Sequence, residues 1–165
     1  MRERDERPAN RLIEAVKTLL SEKLGYFESD RGSEPQHPER WGWTEKFEMN
    51  EETQKFDSQM IRPPGASRLG RVDQRASAQV VYLVPDVTRR VISDKLRMDL
   101  PGADELGASL LSEGLLAARE KDRYQKSVRL GGPPQRVLAI HLRAFADPDD
   151  PNNPENTGVV SEEPI

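Results

Sequence analysis

Six cations fall within one short stretch near the end of the chain: Arg119, Lys121, Arg123, Lys126, Arg129 and Arg136. Guanidinium and ammonium groups at this density suit one chemistry above others, the neutralisation of phosphate, because each counterion released from a polyanion favours binding. Arg89 and Arg90 form a second, smaller pair upstream. From Arg119 to Arg143 there are seven bases and two acids, although the chain as a whole carries a net charge of −4. The discrepancy lies in the segment from Ala146 to Ile165, which holds six acids (Asp147, Asp149, Asp150, Glu155, Glu162, Glu163) and no base, leaving 25 bases against 23 acids elsewhere. An ordinary solvated surface accounts for the same cations, since lysine and arginine also protect exposed strand edges from pairing with other chains.

Bond-making chemistry finds no comparable support. The only imidazoles are His37, between prolines, and His141, and neither stands at metal-ligand spacing. Cysteine is absent, which excludes disulfides and thiolate metal sites. No G-x-S-x-G turn and no G-x-x-x-x-G-K-[ST] loop occurs. The expectation is therefore a non-enzymatic protein with no catalytic residue, metal or cofactor. No apolar run approaches the ~20 residues that span a bilayer, and the first twelve residues lack the apolar core of a signal peptide. These features predict a cytoplasmic protein without membrane contact.

The elements that would position the cations follow from periodicity. Pro8 and the stripe Leu12, Ile13, Val16, Leu19, Leu20 and Leu24 predict a helix over 8–24, capped by Gly25. Residues 28–64 read as an irregular loop or insertion, with Trp41 and Trp43 on one side of an extended stretch as core anchors or a surface platform. A short helix is expected within 50–60. Leu69–Val72 and Ala78–Val84 predict a hairpin. Pro85 opens a helix with Val87, Val91, Ile92 and Leu96 inward; a second starts near Pro101, buries Leu106, Leu110 and Leu111, and ends at Gly114. Strands at Tyr124–Leu130 and Arg136–Leu142 flank the Gly131-Gly-Pro-Pro134 turn, the latter as a half-buried edge carrying Leu138, Ile140 and Leu142 on one face. The tail, with four prolines and no apolar cluster, should be disordered. This order predicts an α+β, winged-helix-like fold of three main helices and a β-hairpin wing. The divisions are an N-terminal helix (1–27), an insertion (28–64), the core (65–145) and an acidic tail (146–165).

Three motifs carry a family resemblance: V-Y-L-V-P-D-V at 81–87, L-L-S-E-G-L-L at 110–116, and K-S-V-R-L-G-G-P-P-Q-R-V-L-A-I at 126–140. Together with Leu19–Phe27 they resemble the C-terminal winged-helix-like domain of bacterial and phage primase–helicase-type ATPases of unknown function. The resemblance covers about 100 of the 165 residues, and residues 28–64 depart from it. It implies a nucleic-acid-processing setting in a phage or mobile-element replication system, beside a helicase or primase ATPase. The ATPase activity is not carried over, because the phosphate loop is missing.

In a winged helix the second helix enters the major groove and the wing touches backbone. Here the helix after Pro101 has Asp104, Glu105 and Glu113 and no base. DNA or RNA contact is therefore expected through the wing (Arg119, Lys121, Arg123, Lys126, Arg129, Arg136) with help from Arg89 and Arg90, without sequence specificity. The rival expectation is a protein–protein or oligomerisation module docking on an ATPase or on itself, through the Trp41/Trp43 loop or the acidic helix.

Overall fold

Pro8 starts the first helix, α1 (Pro8–Ser21), where its missing N–H leaves no bond unmade. The computed structural model describes residues 7–146, so the expected disorder of the acidic segment from Asp147 onward lies outside the described residues. The stripe of α1 is buried as its spacing predicts, with Leu12, Val16 and Leu19 at 0% exposure. The helix ends earlier than its apolar pattern, however. Lys23, not Gly25, takes the left-handed conformation (φ 61°), and the Leu24 N–H returns to the Leu19 carbonyl. Gly25 opens a strand instead, β1 (Gly25–Ser29), at a position where a Cβ would press on the Leu69 side chain.

β1 pairs in parallel with β4 (Ser67–Asp73), and β4 pairs antiparallel with β5 (Val80–Leu83), the hairpin expected from the apolar runs. β5 in turn pairs with β8 (Pro134–His141), whose other side takes β6 (Leu116–Ala118) and β7 (Lys126–Arg129). The result is a mixed six-stranded sheet in the order β1-β4-β5-β8-β6, with β7 beside β8. A bulge in β4 brings both Leu69 and Val72 into the helix-side core; at Gly70 a Cβ would collide with the Tyr82 carbonyl. α1 packs with α2 (Pro85–Leu96) and α3 (Ala103–Ser112) against the face carrying Phe27, Leu69, Val72, Val81, Leu83, Leu138 and Ile140.

The winged-helix-like expectation is therefore wrong. Its three helices exist, but they form a layer over a mixed sheet, and the described residues form eight strands rather than two separate hairpins. The hairpin taken for a wing is β7–β8, and β8 is an interior strand with Val137, Leu138, Ala139 and Ile140 all buried, not a half-buried edge. Leu142 leaves the strand altogether for a 3-10 turn (Leu142–Phe145). Residues 28–64 are also more ordered than expected. The second half of that stretch is an antiparallel hairpin, β2 (Thr44–Asn50) and β3 (Lys55–Ile61), where a short helix was expected. Asn50 organises its turn: the side-chain oxygen accepts the Glu52 N–H and the carbonyl accepts the Gln54 N–H.

Trp41 and Trp43 are anchors rather than a platform, at 7% and 5% exposure. They do not share a side. Trp41, at the end of a 3-10 turn (Pro38–Trp41), packs edge-on against Phe27 and Phe145 on the helix side. Trp43 packs against Tyr26 on the other side and donates its indole N–H to the Phe27 carbonyl at 2.9 Å. Gly42 crosses between them so closely to Gly25 and Tyr26 that only glycine fits. The two indoles thus straddle β1 and cover the sheet edge that would otherwise offer unpaired backbone.

Candidate interaction surfaces

On the sheet face away from the helices, register aligns Glu28, Arg71, Tyr82, Ala139 and Ala118 across five strands. Glu28 is the centre of this face. Its carboxylate accepts Arg62 Nη2 at 3.0 Å, Arg68 Nη1 at 3.2 Å and Arg71 Nε at 3.3 Å. Each guanidinium reaches onward to another segment. Arg62 donates to the Gly32 carbonyl and stacks over Trp43, Arg71 donates to the Asp30 carbonyl, and Arg68 donates to the Leu130 carbonyl at 2.9 Å. The last bond ties the β7–β8 turn back onto the sheet, with Gly131 against the Arg71 guanidinium. Nearby, Asp73 accepts three bonds from Arg75, whose guanidinium holds the carboxyl below its usual range. Burial, with Asp73 adding to it, pushes the Tyr82 phenol up, so it stays neutral at physiological pH.

The eight cations singled out by the sequence come from separate elements. Arg89 and Arg90 are on α2, in the helical layer, whereas Lys126, Arg129 and Arg136 are on the β7–β8 hairpin and Arg119, Lys121 and Arg123 precede it. Arg89 donates to the Leu100 carbonyl at 3.2 Å, and its buried Nε has no acceptor. With Arg90, Asp86, Ser93 and Asp99 it lines a depression of about 260 Å³ in which carboxylates stand beside the cations.

The remaining six lie on the β7–β8 hairpin and on the segment that leads into it. Arg119 lies over the Tyr124 ring, 5.6 Å from its centroid. Lys121 and Arg123 are exposed in the connection to β7, which Glu120 holds beside the hairpin by accepting the Ser127 N–H at 2.6 Å. On the hairpin, Arg136 stands opposite Ser127, so Arg129 and Arg136 are diagonal neighbours on the exposed face. Lys126, opposite Val137, is half-buried on the other face with Val128. Among the described residues Lys121, Arg123, Arg129 and Arg136 make no side-chain hydrogen bond or ion pair. Other arginines contrast with them: Arg11, Arg62, Arg68, Arg71, Arg75 and Arg143 all have internal acceptors, Arg62, Arg75 and Arg143 although exposed.

A second surface escaped the sequence reading. The β2–β3 arm carries Phe47, Met49 and Phe56 at 65%, 51% and 70% exposure. Met49 pairs with Phe56 and Phe47 is two residues from Met49, so the three share one face of the arm, in line with Met60 at its base. Taking roughly 200 Å² per aromatic side chain, they expose on the order of 350 Å², within the range of the largest patch on a typical monomer, which is often functional. The opposite face is polar, with Lys46, Glu48, Lys55 and Asp57; Lys46 pairs with Glu48 at 2.8 Å and lowers its pKa. The period-2 spacing of Phe47 and Met49 was the available signal, obscured by the acids around it. The Leu111 side chain, expected to be buried, is 44% exposed on α3.

His37 is exposed and His141 half-buried; among the described residues no group of three His, Cys, Asp or Glu could hold a metal. Nor is any described helix long and apolar enough to cross a membrane. Comparisons with protein-family models, curated proteins and solved structures return no match. The likeness to primase–helicase-type ATPases thus rests on the quoted motifs alone.

Proposed function

We propose that this protein is a non-enzymatic accessory domain that contacts the phosphate backbone of DNA or RNA through residues 119–136. One observation carries the reading: among the described residues Lys121, Arg123, Arg129 and Arg136 are exposed and unengaged, whereas Arg62, Arg68 and Arg71 are bound to internal acceptors. Such side chains are free to exchange counterions for phosphates. Contacts of this kind fix position and carry no sequence information. The first turn of α3, with Asp104 and Glu105, would repel a phosphate backbone and has no part in the site. The motif likeness makes a helicase or primase ATPase the partner to test alongside nucleic acid.

Fluorescence anisotropy with a mixed-sequence duplex, titrated between about 50 and 200 mM salt, tests the proposal. Four phosphate contacts give a log–log salt slope of about −3.6 on duplex DNA, and about −2.8 on a single strand of the same sequence titrated in parallel. Replacing Arg129 and Arg136 by serine should halve the slope, and Arg90→Ser should leave it unchanged. Absence of binding to either nucleic acid at the lowest salt, or a slope indifferent to Arg129 and Arg136, refutes it.

A further inference from the structure

The basic segment leaves the β2–β3 arm unused, and the arm's chemistry points elsewhere. Between Thr44 and Ile61 the chain holds five acids (Glu45, Glu48, Glu51, Glu52, Asp57) and two bases (Lys46, Lys55). Both bases are on the polar face, where Lys46 is already paired with Glu48. The apolar face has none. Glu45 lies on it at the base, in line with Phe47 and Met49, and Glu51 and Glu52 occupy the exposed tip. Carboxylates therefore flank Phe47, Met49 and Phe56 at both ends of the patch.

We infer that the arm is a docking element for a protein partner whose apolar groove is flanked by lysine or arginine. Phosphate is excluded as its occupant by the sign of the charge. A second copy of the arm fits poorly for the same reason. Two arms packed through their apolar faces would bring Glu45 against Glu51 and Glu52 if antiparallel, and Glu51 and Glu52 against themselves if parallel. Like charges around a desolvated contact oppose association. A basic rim turns each of these repulsions into attraction. An isolated two-stranded hairpin is marginal in water, so burial of its apolar face on a partner would also stabilise the arm itself. The exposed patch is about half of what one side of a standard interface buries, which makes the arm the central contact of a modest or transient complex.

The test uses two fluorescein-labelled helical peptides with the same leucine face, one with lysine and one with glutamate on its flanks, measured by anisotropy against the whole protein. The lysine peptide should bind at least about tenfold more tightly than the glutamate peptide, and Phe47→Ser with Phe56→Ser should weaken it by about tenfold or more. Glu51→Gln with Glu52→Gln should reduce affinity several-fold and flatten its salt dependence. Phe47, Met49 and Phe56 contribute nothing to the buried core, so unchanged thermal midpoints are expected for all variants. Equal binding of the two peptides, or lysine-peptide binding indifferent to the phenylalanine substitutions, overturns the inference. A dimer in sedimentation equilibrium that the phenylalanine substitutions dissociate overturns it too, by making a second copy the occupant.

Discussion

Replacing Glu28 by alanine should destabilise the protein out of proportion to the removal of one side chain. The carboxylate is 10% exposed and, among the described residues, is the one acid paired with three guanidiniums, of which Arg71 is 14% exposed, Arg68 30% and Arg62 44%. Removing one partner of a buried pair costs about 3–5 kcal/mol, because the remaining charge is left uncompensated. Arg71 comes close to that limit. Arg68 is partly solvated, and Arg62, the most exposed, should contribute under about 1 kcal/mol. Since all three keep carbonyl acceptors, the expected loss is about 3 kcal/mol, or a fall of roughly 10 °C in the thermal midpoint. Glu28→Gln, which keeps an acceptor and loses the charge, should fall between wild type and alanine. Urea unfolding followed by circular dichroism measures both. A loss below about 1 kcal/mol for Glu28→Ala, or equal losses for Glu28→Ala and Arg62→Ala, would show that the cluster is no more than a solvated surface network.

Asp73 should make stability acid-sensitive. Its folded-state pKa is depressed by Arg75, so its contribution is fully present above the ordinary carboxylate value of about 3.9 and disappears as pH falls through the lower folded value. The stability gap between wild type and Asp73→Asn should therefore narrow below about pH 4, and a gap constant between pH 7 and 2.5 in urea unfolding would contradict the ion pair. Gly107→Ala, in the middle of α3, should cost about 1–3 kcal/mol despite the higher helix propensity of alanine, because the new Cβ meets the Tyr124 side chain. A raised thermal midpoint would refute that packing, and Tyr124→Gly, which removes the Cβ nearest to the new methyl group, should relieve the clash where Tyr124→Ala does not.

The two candidate surfaces were legible to different degrees. The density of cations from Arg119 to Arg136 is plain in the amino-acid order, but the burial that ties Arg89 to the Leu100 carbonyl while leaving Arg129 and Arg136 exposed on the hairpin is not. Lys126 and Arg129 look equivalent in a run of residues, whereas the register puts Lys126 beside the buried Val137 and Arg129 on the exposed face. The arm was missed because its apolar residues are diluted by charge, and a pattern of exposed phenylalanines resembles a weak amphipathic helix until the Met49–Phe56 pairing is known.

Local periodicity is enough to give the three helices, the buried faces of α1 and α2 and the β4–β5 pair, though not the exposure of Leu111 on α3, since contacts between residues two to four apart are written in adjacent letters. Only the tertiary structure decided that Gly25–Ser29 is a strand beside β4, that β8 is interior, and that the β7–β8 turn is tied to the sheet instead of projecting as a wing. Those outcomes depend on partners 40 to 62 positions apart, as in the bonds from Arg68 to Glu28 and to the Leu130 carbonyl. A winged helix and this mixed sheet share the same run of local elements in the second half of the chain. What separates them is which strand finds which neighbour, a choice set by the burial of Phe27, Val81 and Ile140 in one core and by the three arginines that converge on Glu28.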